Sequence, residues 1–396
     1  MIFTIFHYLC VMTIEEFEIL LSPQARKAIE ENIQRNPAEI ALDKHIEHPA
    51  IIATQVKRLQ RAKSKLPSLY KVRAIMPPKA YEQSSSELCA ERKRLSGESV
   101  LDLTCGLGVD TIALSSRFKR VVSCEKNSVL SKITQHNLSL LGIDNVEVKN
   151  CSAEEYLSST TEHFDWVFAD PDRRGERGEK LVKLTDCSPD IITLLPRIKE
   201  VSDALCIKCS PLFDTAEANH LFGDCSVETI SLGSECKEVN IYINSKPATL
   251  AAEAIGLFRF EIPLSGATTA QPQNTTKEIS EYKYITIPDV SLVHSRLTLA
   301  AFSGVADIWS NTGVALSVTE PQKVLGRVFR IENIFDLGSK ELKKELKGKR
   351  IEIFRRDCTI SNADICKKFC VKEGAEESWC FTKIDKKSVA IKMRKI

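Results

Sequence analysis

Apolar residues recur along this chain with two periods, and the change from one to the other divides it. From about position 12 to 95 the spacing is helical. EEFEILL (15–21) gathers its apolar residues on one face, and Ser22-Pro23 opens a second helix with proline at its first position. HPAIIATQVKRLQRAKSKL (48–66) is amphipathic and basic at its end. Pro67 and Pro77-Pro78 interrupt the pattern, and LCAERKRL (88–95) reads as a last helix. From 96 to about 245 short apolar runs alternate with helical stretches. Strands are predicted at 99–104, 120–125, 146–149, 164–169, 204–209, 226–232 and 238–243, the alternation of a doubly wound α/β sheet. Beyond 245 the composition shifts: GATTAQPQNTTKEISE (266–281) is polar and loop-like. YKYITIPDVSLVHSRLTLAAF (282–302) reads as strand, turn and helix. In the tail, RIEIFRRD (350–357) and KSVAIKMRKI (387–396) read as strands, with ISNADICKKFCV (360–371) as a helix between them.

Within the alternating region, SVLDLT (99–104) leads through Cys105-Gly106-Leu107-Gly108 into a helix, with Asp110 or Thr111 placed to cap it. Gly106 and Gly108 let backbone amides approach a ligand, since neither carries a Cβ. The next strand, RVVSCE (120–125), ends in Glu125, whose carboxylate can accept hydrogen bonds from both hydroxyls of a ribose. A dinucleotide fingerprint requires a third glycine where this chain has Thr111, so NAD or FAD fits poorly. FDWVFA (164–169) is a buried-strand pattern, and DPDRR (170–174) lies just past its C-terminal end, where open parallel sheets bind ligands. Asp170 and Asp172 are suited to orient or deprotonate a nucleophile. Arg173 and Arg174 are suited to clamp a phosphate; the alternative is a solvated loop whose charges pair with each other. Lys208, inside the strand ALCIKCSP, either meets Asp170 in the pocket or snorkels to the surface. Gln83 and Ser85 in EQSSSE (82–87) either line that pocket or form a helix cap and turn. Cys236 in ECKE (235–238) is either a nucleophile or a buried structural thiol.

Asp102-x-x-x-Gly106-x-Gly108, with Glu125 closing the next strand, resembles the first two motifs of the class I S-adenosylmethionine (SAM) methyltransferases. The resemblance implies a seven-stranded Rossmann-like sheet whose last strand runs antiparallel. It implies that Asp102, Thr104, Gly106, Gly108 and Asp110 shape the cofactor turn, that Glu125 holds the ribose, and that Asp170 belongs to the fourth motif. That motif often reads D/N-P-P-Y/F/W in enzymes that methylate exocyclic amines. This chain has Asp172 and Arg173 instead of the aromatic, which argues against that acceptor. Ser152 stands where the family often has an acidic residue reaching the adenine amino group. KLPSLY, IMPP, EQSSSE, DLTCGLGVD, DPDRR, SPD, IKCSP and ECKE together resemble one bacterial family of such enzymes. Its members have an N-terminal helical region, a ferredoxin-like subdomain and a C-terminal THUMP-like domain. On that pattern the chain divides into a helical region at 1–95, a methyltransferase domain at 96–245, a linker and ferredoxin-like part at 246–322, and a THUMP-like domain at 323–396. In the third part His294 stands where relatives tend to carry a basic residue.

Charge changes the picture only at the end of the chain. The whole carries a formal +2, which says nothing about partners. Residues 323–396, however, hold 20 Lys plus Arg against 11 Asp plus Glu, about +9, leaving the remainder acidic. Such asymmetry is a footprint of nucleic-acid binding, against the alternative of a solvated basic face. Trp379 and Phe381 are too few for a stacking ladder. The 14 cysteines are scattered without paired metal-ligand spacing, so no metal is expected and free thiols in a reducing cytoplasm are. Residues 1–11 are apolar but too short to span a membrane and lack a cleavage site. The clean helix start after Met12 makes Met12 the expected first residue; an intact mass matching a Met1 start excludes this. The sequence as a whole predicts a cytoplasmic SAM-dependent methyltransferase acting on structured RNA. The competing readings are a small-molecule or protein methyltransferase, and an RNA-binding protein with a vestigial cofactor pocket.

Overall fold

The computed structural model describes residues 12–172, 184–244, 246–266 and 277–396. The chain forms two compact units. One runs to Phe213 and takes in Asn240–Asn244; the other comprises Asp214–Val239 and Ser245–Ile396.

The first unit opens with helices at Ile14–Leu21, Pro23–Asn32 and Pro49–Lys65. Thr13 and Glu16 form a reciprocal capping box, and Ser22 caps the second helix ahead of its first-turn proline. Their apolar faces bury Leu20, Ile29, Ile52, Val56 and Leu59 in a core that also holds Leu107, Val109 and Ile133. The helical region therefore packs on the elements that carry the glycine turn. Asn137, fully buried, fixes the contact: its side chain accepts from Ile75 N and donates to Ile75 O, both at 2.9 Å.

Five parallel strands follow: β1 (Gly97–Asp102), β2 (Phe118–Cys124), β3 (Val146–Lys149), β4 (Phe164–Ala169) and β5 (Ser202–Cys209), in the order β3-β2-β1-β4-β5. Val100 of β1 lies between Val121 and Trp166. The chain runs outward from β1 to β3, then crosses back to β4, which opens a crevice at the carboxyl ends of β1 and β4. Beside β5 in this unit lies the second half of β7 (Glu235–Ile243). With β6 (Cys225–Leu232), all seven expected strands form, their ends within three residues of expectation. Two helical expectations fail. LCAERKRL is helical only at Glu87–Ala90, because Lys93 turns inward to a buried charge. Neither Asp110 nor Thr111 caps the helix Val109–Ser115; Gly108, at φ 81°, is its N-cap, and both side chains point to other partners.

The second unit contains β6 paired in parallel with β8 (Thr249–Ala254), which pairs antiparallel with β9 (Phe258–Pro263). It also contains an eight-stranded sheet of β10 (Tyr284–Pro288), β11 (Asp307–Ile308), β12 (Ala315–Ser317), β13 (Gly326–Asp336), β14 (Arg350–Arg355), β15 (Lys372–Glu373), β16 (Glu377–Ile384) and β17 (Lys387–Lys395). Its order is β11-β12-β10-β13-β17-β16-β14-β15. Because β10 pairs with β13, strands on either side of position 322 share one sheet. Helices Lys340–Leu346 and Asn362–Phe369 bury Leu342, Leu346, Ile365 and Phe369 with Trp379 and Phe381. Both aromatics are fully buried and so offer no face to a base. The helix expected in 282–302 is two short ones, Val290–His294 and Thr298–Phe302, separated where Arg296 adopts φ 59°. Burial, with Asp289 and Glu238 nearby, pushes the Cys236 thiol up to about 12, so it carries no nucleophilic thiolate at neutral pH. Among the described residues, no helix is long and apolar enough to cross a membrane.

Candidate cofactor and acceptor site

The glycine turn is built around a carboxylate that never meets solvent. Asp102, the last residue of β1, is fully buried. Its Oδ1 accepts from Thr104 N (2.9 Å) and Oγ1 (3.3 Å); its Oδ2 accepts from Thr111 Oγ1 (2.6 Å) and Ser123 Oγ (2.9 Å). Strand, turn, helix and neighbouring strand are thus tied to one side chain. Burial pushes the Asp102 carboxyl up to about 6, despite those hydrogen bonds. Asp102 therefore shapes the turn from behind instead of facing a ligand. Thr111, at the position of the missing third glycine, supplies a hydroxyl to this cluster.

Gly106 (φ 56°) and Gly108 (φ 81°) occupy the left-handed region. A Cβ at Gly108 would come within 2.7 Å of Thr134 Cγ2, whereas one at Gly106 would meet nothing nearer than Thr104 O at 3.9 Å. The surface of the turn at Gly106 is therefore open to an incoming group. Glu125 reaches this point: its Oε2 accepts from Gly106 N at 2.9 Å and its Oε1 from Asn127 N at 2.8 Å. Burial raises the Glu125 carboxyl's pKa against the pull of those two amides. An open glycine turn beside a carboxylate fits the amino-acid and ribose parts of SAM. Ser152 stands nearby in the chain, after β3, but its Oγ accepts from Glu155 N in a capping box.

The DPD segment follows β4. Asp170 N donates to Thr104 Oγ1 at 2.7 Å, which joins this segment to the glycine turn. Asp170 Oδ2 lies 2.5 Å from Lys208 Nζ. Lys208 is therefore in the pocket, its side chain only 5% exposed. Its Nζ also donates to Ser85 Oγ (2.6 Å) and lies 3.4 Å from Asp110 Oδ2. Ser85 in turn donates to Asp110 Oδ2 at 3.0 Å. Lys93, its side chain 1% exposed, closes the cluster 2.9 Å from Asp110 Oδ1. Burial alone would push the Asp110 carboxyl up, but Lys208 and Lys93 overcome it and hold the group well below the usual carboxylate range. Asp172 accepts from Gln83 Nε2 at 3.4 Å, and its backbone pairs with Ser188 in both directions.

Thus Asp102, Thr104, Gly106, Gly108, Asp110, Glu125, Asp170, Asp172 and Lys208 meet at the carboxyl edge of one sheet. Gln83 and Ser85 join them while Ser86 serves as the cap. Arg173 and Arg174 lie outside the described residues. Lys93 was not legible: a lysine at the end of an apparent amphipathic helix gives no sign that it is buried. The pattern ahead of β1, with no helix-breaking residue between Glu87 and Leu95, concealed the inward turn.

Comparison with known proteins gives two family matches. Residues 97–178 match the family described as RNA cap guanine-N2 methyltransferase, and residues 326–395 match the THUMP domain-like family. An uncharacterised SAM-dependent methyltransferase of Mycobacterium tuberculosis is 28% identical over 49% of this chain and 53% of its own length. A tRNA/tmRNA (uracil-C(5))-methyltransferase of Stutzerimonas stutzeri is 27% identical over 36% of this chain and 48% of its own. The chain spans about half the length of the curated relatives it matches. A solved structure from Porphyromonas gingivalis, named as a candidate methyltransferase, shares the fold: TM-score 0.79 at 23% identity, covering 97% of this chain and all of that one. The chain thus joins a segment that matches a methyltransferase family, on the strand order β3-β2-β1-β4-β5, to a C-terminal segment that matches the THUMP domain-like family.

Proposed function

We propose that this protein transfers the methyl group of SAM to structured RNA in the cytoplasm. The observation that carries the proposal is the convergence of the open turn at Gly106, the Glu125 carboxylate and the Asp170 carboxylate at one sheet edge. Bound SAM supplies an electrophilic methyl group on a sulfonium. The chain's own task is then to hold the donor, aim the acceptor and exclude water. Gly106 and Glu125 hold the amino-acid and ribose parts. Asp102, through Thr104 and Thr111, fixes the turn on which they depend. Asp170 accepts a hydrogen bond from the acceptor and so aligns its lone pair, with Asp172 second to it. Arg173 and Arg174 hold a substrate phosphate. The RNA part of the reading is supported by the printed descriptions of the matched families and by the basic charge of residues 323–396.

Transfer of labelled methyl from SAM to total RNA of a strain lacking the gene tests the proposal. The wild type is expected to label RNA. Asp170→Ala is expected to keep SAM affinity and lose on the order of 100-fold or more in transfer. Label in the protein or small-molecule fraction alone overturns the RNA acceptor, and no label in any fraction overturns methyl transfer.

A further inference from the structure

The buried cluster beside the glycine turn holds two cations and two anions: Lys93, Asp110, Lys208 and Asp170. Exposure falls along it, from 23% for the Asp170 side chain to 12% for Asp110, 5% for Lys208 and 1% for Lys93. A buried set of this kind is poor evidence for stability, since apolar residues of similar volume serve as well. At the carboxyl edge of a parallel sheet it is better evidence for function. Its internal order is informative. Asp110 is shared between Lys93, at 2.9 Å, and Lys208, at 3.4 Å, while Asp170 stands 2.5 Å from Lys208. Asp170 is thus the nearer of the two carboxylates to the Lys208 ammonium. Ser85 Oγ, 2.6 Å from Lys208 Nζ, fixes the direction from which the ammonium approaches. The pair leaves Asp170 with one oxygen occupied: Oδ2 faces Lys208, and Oδ1 has no hydrogen-bond partner among the described residues. The backbone of Asp170 is held as well, through its N–H to Thr104.

We propose that Lys208 is a positioning residue for the reaction: it holds Asp170 by Oδ2, with Ser85 as its brace, so that Oδ1 is the atom that meets the acceptor. This rests on the reading of Asp170 given above. Lys208 does not touch the reacting atoms. It fixes the rotation of the carboxylate. The charged groups around Asp170 are Lys208 on β5, Asp110 on the helix after the turn, Lys93 ahead of β1, Asp102 behind Thr104, and Asp172 on its own segment. The charged residues of 173–183 lie outside the described ones.

Lys208→Met is expected to lower kcat on the order of 100-fold with KM for RNA near wild type. Lys208→Arg is expected to restore only part of kcat, because a planar fork replaces a point charge. Lys208→Met added to Asp170→Ala is expected to cost nothing further in kcat, since Lys208 acts through Asp170. Losses that multiply in the double variant overturn the proposal, as does a Lys208→Met enzyme with wild-type kcat. A second readout needs no turnover: a crystal structure of Lys208→Met is expected to show the Asp170 carboxylate turned from its wild-type rotamer. Should that variant fail to fold, Lys208→Gln takes its place in both measurements. An Asp170 rotamer unmoved in the folded variant overturns the proposal. A wild type that methylates nothing, with the rotamer change present, overturns the proposed function and leaves the hold of Lys208 on Asp170 standing.

Discussion

A fully buried carboxylate with three segments hanging on it makes Asp102 the residue whose chemistry reaches furthest. Its folded pKa of about 6 stands above the unfolded value of 3.8. The native state therefore binds more protons than the unfolded one between those values, and stability falls as pH rises through the window. The contribution is fully present below about pH 4 and lost above about pH 6, a span on the order of 3 kcal/mol. Asp102→Asn is expected to flatten this part of the stability profile, measured by denaturant midpoints from pH 4 to 7. It is also expected to weaken SAM binding, because an amide cannot accept from both hydroxyls through one nitrogen. The sequence made Asp102 visible as a motif residue but not as a buried one. Its place in D-x-x-x-G-x-G is shared by residues that face ligands and residues that support the turn. Only packing tells them apart. Thr111 shows the same limit from the other side: it reads as a glycine lost, and in the fold it is a hydroxyl gained.

At the level of elements, the central strands were legible because β4 and β5 are short apolar runs whose residues are mostly buried. Helix ends were less so. The helix after the turn begins at a left-handed glycine, a start that no side-chain cap announces. That feature carries a test. Gly108→Ala imposes a strained φ and drives a methyl to within 2.7 Å of Thr134 Cγ2. It is expected to destabilise the first unit by about 1–3 kcal/mol and to lower SAM affinity, read by calorimetry. Adding Thr134→Ser removes the clashing methyl while keeping the hydroxyl that donates to Gly106 O at 2.8 Å. The double variant is expected to recover part of both losses. Full recovery would show that contact, not backbone strain, sets the cost. The two short helices at Val290–His294 and Thr298–Phe302 were read as one because their apolar spacing runs on through Arg296, whose φ no pattern reveals.

For the molecule as a whole, the charge of the tail is less free than its count. Lys349 and Lys392 both engage Glu345 and Glu377, and their hydrogen bonds bring the Glu345 carboxyl down to about 2. Lys395 and Arg327 engage Glu352. The cations left to solvent include Lys343, Lys344 and Lys347. On the RNA reading, the affinity of the full chain for its substrate is expected to fall steeply with salt. Replacing those three lysines by glutamate is expected to reduce the log–log salt slope by about 2–3. An unchanged slope, from filter binding between 50 and 300 mM salt (roughly the range in which such slopes are read), would place the RNA contacts elsewhere. The net charge of the tail was plain in the sequence; which lysines are internally paired depends on strand register and was not.

The division of β7 has a consequence for how this gene is inherited and cut. Its first half belongs to the second unit and its last residues to the first, and the second unit also draws β6 from before that point. A chain begun at residue 246 would therefore contain β8 without β6, leaving a long bare edge ready to pair with other copies. Neither unit is one unbroken stretch of sequence. Recombination at the apparent linker would therefore hand on two incomplete cores.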